Sequence, residues 1–188
     1  MKHNHWILLG TGAVFAAILL KSILVAVGSL PFNSDEAVVG LMAKHISQGA
    51  RPVFFYGQVY MGSLDAYLIA IGFQMFGDHI WVIRLVQILL YIFILLSTGW
   101  VGKEIFGDIR VGILAMCLLA IPTVNMTLYT TVTLGGYAEM LLIGNLILMS
   151  GFRIANQKSR VLDAELWNCF VFGFLSGLGL WVFGLTLV

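Results

Sequence analysis

Ile80-Trp-Val-Ile-Arg84-Leu-Val-Gln-Ile-Leu-Leu-Tyr-Ile-Phe-Ile-Leu-Leu-Ser-Thr-Gly-Trp-Val101 is an apolar run that carries one charge, near its start. A helix needs about 20 such residues to cross the hydrocarbon core of a bilayer, and this stretch supplies them. Outward from it, the runs at roughly 6–29, 110–129, 132–151 and 166–188 qualify or nearly qualify in the same way. Composition agrees: the 188 residues are 60% hydrophobic and 10% charged, with a mean hydropathy of +0.98. Soluble domains carry about 25% charged and about 45–50% apolar residues, so the apolar surface here exceeds what one water-soluble core can hide. The expected fold class is all-α, a polytopic transmembrane helix bundle of about five spans.

The net charge of +1 points to no acidic or basic partner, and no basic stretch with interleaved aromatics suggests nucleic acid. Cys117 and Cys169 both lie inside apolar runs, where buried small apolar side chains are expected rather than a disulfide or metal knuckle. The N-terminal run Trp6 to Leu30 is longer than the roughly 7–15-residue core of a signal peptide and has no A-x-A-like cleavage site. It reads as a retained first span whose Lys21 snorkels or faces protein.

A further run, Leu64 to Phe76, ends in Gly77-Asp78. Its length falls in the range of about 10–14 residues that suits an interfacial or re-entrant helix better than a span. Charge placement supports leaving it out of the count. With five spans, Lys2, then Lys103 and Arg110, then Arg153, Lys158 and Arg160 all fall on one side, and the side richer in Lys and Arg is the cytoplasm. Residues 31–79 then form the first extracytoplasmic loop of a multi-pass plasma-membrane protein whose N-terminus is cytoplasmic. The final run stops at Gly184-Leu-Thr-Leu-Val188 with no polar flank, whereas spans usually finish in interfacial or charged residues. The expectation is that residues 1–188 are the N-terminal part of a longer membrane domain.

Loop 31–79 concentrates the polar groups Asp35, Glu36, Lys44, Arg51, Asp65 and Asp78. Asn33 with Glu36 three residues later makes a capping-box pattern. Val38, Leu41, Met42 and Ile46 form a stripe at helical spacing beside His45, and Gly49 is placed to end the helix. Residues 34–48 are therefore predicted as an amphipathic helix on the membrane surface. Pro52 to Gly62, aromatic and punctuated by glycine, reads as extended or looped before a short helix from Ser63. Phe54, Phe55, Tyr56 and Tyr60 suit a membrane interface on physical grounds alone. Asp35 and Glu36 admit two readings. They are solvated charges in a helix's first turn, favoured by its dipole, or they are ionised groups that accept a proton from a hydroxyl or hold a divalent metal.

The order of segments resembles the N-terminal region of GT-C-fold membrane glycosyltransferases, nearest to the protein mannosyltransferase and aminoarabinose transferase class, family 39-like. The residues that carry the resemblance are Phe32-Asn-Ser-Asp35-Glu36-Ala, His45-Ile-Ser-Gln-Gly49, Ala70-Ile-Gly-Phe-Gln-Met-Phe-Gly77 followed by Val82-Ile-Arg84-Leu85, Lys103-Glu-Ile-Phe-Gly107 with Ile121-Pro122, and Gly177-Leu-Gly-Leu-Trp181. The resemblance implies an inverting enzyme that takes a sugar from a polyprenyl-phosphate donor and passes it to a glycan, lipid or protein acceptor at the outer face. It implies that Asp35 activates the acceptor hydroxyl and that Glu36 supports it. In relatives a Tyr-x-x-Lys-Pro-Pro-Leu-like segment supplies a lysine to the donor phosphate. Here Tyr60-Met-Gly-Ser-Leu64 stands in that neighbourhood, so Arg84, Arg51 or Lys44 is the expected replacement, with Tyr56, Gln58 and Tyr60 as further donor contacts. Snorkelling explains Arg84 equally well.

Glu139 lies about a turn inside the outer end of its span, on the side of Asp35. It either lines the same cavity or pairs with Lys21 or Arg84 in helix assembly. Gly173-x-x-x-Gly177 fits close helix packing. Two other functional classes remain open: a transporter or flippase-like protein with a pathway marked by Lys21, Arg84 and Glu139, and a non-catalytic membrane scaffold.

Overall fold

In a computed structural model, residues 2–156 and 162–184 are described. Helix α1 spans Lys2–Ala26, α2 Ser34–Ser47, α3 Leu64–Phe76, α4 Ile80–Phe106, α5 Ile109–Ala120, α6 Val124–Tyr129, α7 Tyr137–Ala155 and α8 Leu162–Val182. A small antiparallel hairpin, β1 (Phe54–Phe55) and β2 (Gln58–Gly62), sits between α2 and α3. The chain is largely helical, and α1, α4 and α7 are long and apolar enough to cross a membrane. Leu64–Phe76, Ile109–Ala120 and Leu166–Val182 are shorter apolar helices.

Helix α4 is the hub, packed by α1, α3, α5 and α7, while α8 packs on α7. The α4–α5 crossing depends on glycine. A Cβ at Gly102 would come to 2.9 Å from the Gly112 Cα, and one at Gly112 would collide with the Gly99 carbonyl. Without side chains there, the two backbones meet directly. Expected run 110–129 is not one helix: α5 stops before Ile121-Pro122 and the short α6 follows. Proline has no N–H to continue the ladder and disfavours the helical conformation in the residue before it. The fourth expected run starts late, at Tyr137, because Gly135 and Gly136 adopt left-handed φ values of 74° and 76°.

The basic residues gather at one end of the bundle. Lys103 closes α4 and Arg110 opens α5, while the Arg153 guanidinium lies 4.9 Å from the Trp100 ring centroid. His5 and Trp6 of α1 share a cavity with Arg110. Lys158 and Arg160 lie outside the described residues, as do the last residues of the chain from 185 onward.

At the opposite end, α2, the hairpin and α3 build a core of their own from Val39, Met42, Ala43, Ile46, Phe55, Met61, Ala66, Ile69 and Ala70, closed by Ile83 of α4. The buried stripe of α2 is therefore rotated from the expected one. Val39 and Ala43 replace Leu41, which is 50% exposed. Packing on α3 buries α2's apolar face against protein instead of leaving it for lipid. The last turn of α8 completes the hairpin: Trp181 Nε1 donates to the Val53 carbonyl at 3.0 Å. Phe183 bridges to Met61, and a Cβ at Gly62 would sit 2.7 Å from the Trp181 carbonyl.

Two smaller expectations change. Cys117 is half-buried and Cys169 exposed, both free. Gly173 and Gly177 meet nothing within 4 Å of an added Cβ, and the α7–α8 contact instead uses Gly179 against Met140 and Ile143.

Candidate functional site

The site begins with a helix cap. Asn33 Oδ1 accepts from the Glu36 N–H at 2.9 Å, and Glu36 Oε2 accepts from the Asn33 N–H at 3.4 Å, the reciprocal pattern expected from the sequence. This fixes the first turn of α2 and points its two carboxylates apart. Asp35 is exposed and has no hydrogen-bonding or ion-pair partner among the described residues. Glu36 is fully buried, and Arg84 Nη2 donates to its Oε2 at 2.7 Å. The same nitrogen donates to the Leu30 carbonyl at 3.2 Å. Arg84 thus grips the chain on both sides of Asp35. Its guanidinium neither snorkels nor pairs with Glu139. Burial pushes the Glu36 carboxyl up, against the opposing pull of Arg84's charge.

Beneath this brace lies a closed polar layer. Asp65, the second residue of α3, is buried and accepts from Gln87 Nε2 at 2.9 Å on one oxygen and from the Thr133 hydroxyl on the other. Glu139 of α7, also buried, lies within electrostatic range of it. On the α1 side, Lys21 Nζ donates to the Thr130 carbonyl (3.0 Å), Thr130 Oγ1 (2.7 Å) and Thr131 Oγ1 (2.6 Å), and sits 4.0 Å from the Tyr91 ring centroid. All three ammonium protons are used, so Lys21 faces protein and Glu139 is not its partner. The run Thr130-Thr-Val-Thr133 links the two halves of the layer.

Above the layer is an aromatic rim. Tyr129 and Tyr137 stack with ring centroids 4.7 Å apart, and Tyr137 meets Phe183 at 4.8 Å. The Tyr137 hydroxyl lies within electrostatic range of both Asp35 and Tyr60. The exposed carboxylate therefore shares its surface with aromatic faces from the hairpin and from the start of α7.

The expected residues divide between the two ends of α2. Asp35, Glu36, Arg84, Tyr60 and Glu139 come together at its N-terminal end. Lys44 is nine positions further on, about 13 Å along the axis at 1.5 Å per residue. It pairs with Asp78 at 2.8 Å, an exposed bridge that holds Lys44 above and Asp78 below their ordinary values. Arg51 lies beyond the helix and donates to the Ala50 carbonyl at 2.9 Å. Tyr56 contacts His45 at 3.2 Å. Gln58, opposite Phe55 in the hairpin register, is half-buried.

Sequence reasoning missed Asp65, Gln87 and Thr133 as parts of the site. One signal was present. An intramembrane carboxylate such as Glu139 demands a polar partner, and Gln87 follows Arg84 by three residues, on the same face of α4. Among the described residues no three His, Cys, Asp or Glu side chains are grouped to hold a metal. No protein family, curated protein or solved structure matches the chain.

Proposed function

We propose that this chain is the N-terminal membrane portion of a glycosyltransferase that moves a sugar from a polyprenyl-phosphate donor to an acceptor at the outer membrane face. The observation that carries the reading is Asp35: an exposed carboxylate on a capped helix turn, fixed on both flanks by one buried arginine and within electrostatic range of Tyr137. A bare solvated charge would need no such brace. In this reading α1, α4 and α7, with α5–α6 and α8, make five crossings. The basic end is cytoplasmic by the distribution of Lys and Arg. The α2–hairpin–α3 unit lies outside, at the interface where a lipid-tethered donor must present its sugar.

The reaction is a displacement. The acceptor O–H gives its proton to the Asp35 carboxylate, and its oxygen bonds to the anomeric carbon from the face opposite the phosphate. The carbon–oxygen bond to the phosphate breaks, and polyprenyl phosphate leaves with the electron pair. The apolar face of a pyranose stacks on a tyrosine ring, the role assigned to the exposed Tyr60. Arg84 acts through Glu36 and Leu30 as a positioning residue.

The test is Asp35→Asn, compared with wild type in membranes supplied with a panel of labelled polyprenyl-phosphate sugars. A general base contributes about 10²–10⁴-fold, so transfer should fall by that factor while membrane insertion is unchanged. Transfer near the wild-type rate would remove Asp35 from the mechanism.

A further inference from the structure

The polar layer beneath Asp35 has a charge imbalance. Lys21 and Arg84 bring two positive charges, whereas Glu36, Asp65 and Glu139 bring three negative ones when ionised, an excess of one. Each of these five side chains is buried, and a lone uncompensated charge is strongly disfavoured in such surroundings. Arg84 pairs with Glu36 and Lys21 with three threonine oxygens, and among the described residues neither cation forms an ion pair with Asp65 or Glu139.

The hydrogen bonds lead to the same conclusion. Ionised carboxylates only accept, and two of them cannot hydrogen-bond to one another unless a proton lies between them. Asp65 already accepts from Gln87 and from Thr133, and the Glu139 carboxyl lies within electrostatic range of it. Glu139 Oε1 is buried with no partner among the described residues. Such an oxygen is costly as part of a carboxylate and far less so as part of a neutral acid.

We infer that Asp65 and Glu139 form a proton-binding site that holds one proton between them at neutral pH, clamping α3 of the outer loop to the start of α7. The charged groups around the pair are Glu36 from α2, Arg84 from α4 and, through the threonine run, Lys21 from α1. The other ionisable side chain on α3 is Tyr67. Burial, then the neighbouring Glu139 charge, holds the Asp65 carboxyl well above the usual carboxylate range, in keeping with the site. When the proton leaves to solvent, two like charges face each other across the α3–α7 contact, and the clamp opens.

The sign of the pH effect follows. The folded state keeps a proton that the unfolded chain has already lost. Stability is therefore greatest at low pH and falls as pH rises from the ordinary carboxylate range through the raised value of the Asp65 carboxyl. The test uses the purified chain in detergent or lipid, with thermal unfolding followed from about pH 5 to about pH 8. Infrared spectra at neutral pH report the carbonyl stretch of protonated carboxyls.

The wild type should show a protonated-carboxyl band at neutral pH and a melting temperature that declines with rising pH. Asp65→Asn, which mimics the protonated acid, should remove the band and flatten the decline, as should Glu139→Gln. A wild-type spectrum without the band overturns the inference and needs no variant to fold. A decline that persists in Asp65→Asn overturns it as well. Stabilisation by sodium chloride over choline chloride that disappears in Glu139→Gln would assign the site to a metal cation and also overturn it.

Discussion

At the scale of single residues, neighbours in sequence have opposite fates. Asp35 and Glu36 are adjacent, yet one is exposed and the other fully buried on Arg84. This pair was half legible. The capping box is a local i to i+3 pattern, so Asn33 and Glu36 announce it in sequence. That Arg84 completes it depends on how α4 packs against the loop, which no local spacing encodes. The same holds for Asp65 and Glu139, which are far apart in the chain and come near each other only after α3 and α7 both pack on α4. Replacing Arg84 with leucine leaves Glu36 buried and unpaired. The expected loss is about 3–5 kcal/mol, the usual cost of breaking a buried pair by removing one partner, read as a lowered midpoint in thermal unfolding. Arg84→Lys should fall between, because an ammonium reaches Glu36 or the Leu30 carbonyl but lacks the guanidinium's fork. By contrast Asp78→Asn, at an exposed bridge screened by water, should leave the midpoint unchanged.

At the scale of elements, hydrophobic periodicity located nearly every helix but misjudged which surfaces meet. The short apolar run Leu64–Phe76 is a helix in the structure, as its length and the glycine after it predict. The α2 stripe was misplaced by one position because two apolar faces of similar width were available, and packing on α3 chose between them. Glycines divide in the same way. Gly173 and Gly177 have the spacing of a helix contact but face open space, whereas Gly99, Gly102 and Gly112, on two different helices, make the closest crossing. Gly112→Ala forces the α4 and α5 backbones apart and should destabilise by about 1–3 kcal/mol, the usual cost of overpacking. Limited proteolysis of the α4–α5 turn measures it. Gly173→Ala should be neutral in the same assay.

At the scale of the whole molecule, the bundle has a basic end and a carboxylate-rich end, and this polarity was readable from charge placement alone. It yields a sidedness prediction. In a variant lacking Cys117 and Cys169, a cysteine at exposed Ser34 should react with a membrane-impermeant thiol reagent added to intact cells. One at Arg110 should react only after the membrane is opened. The reverse pattern would invert the assignment of faces. The contact of Trp181 with the Val53 carbonyl also has a consequence for biosynthesis. A ribosome delivers residues 52–62 well before Trp181, so the hairpin waits with an open edge while the intervening helices are made. The surface that carries Asp35 is thus finished only when α8 arrives, and until then the nascent chain exposes a strand edge.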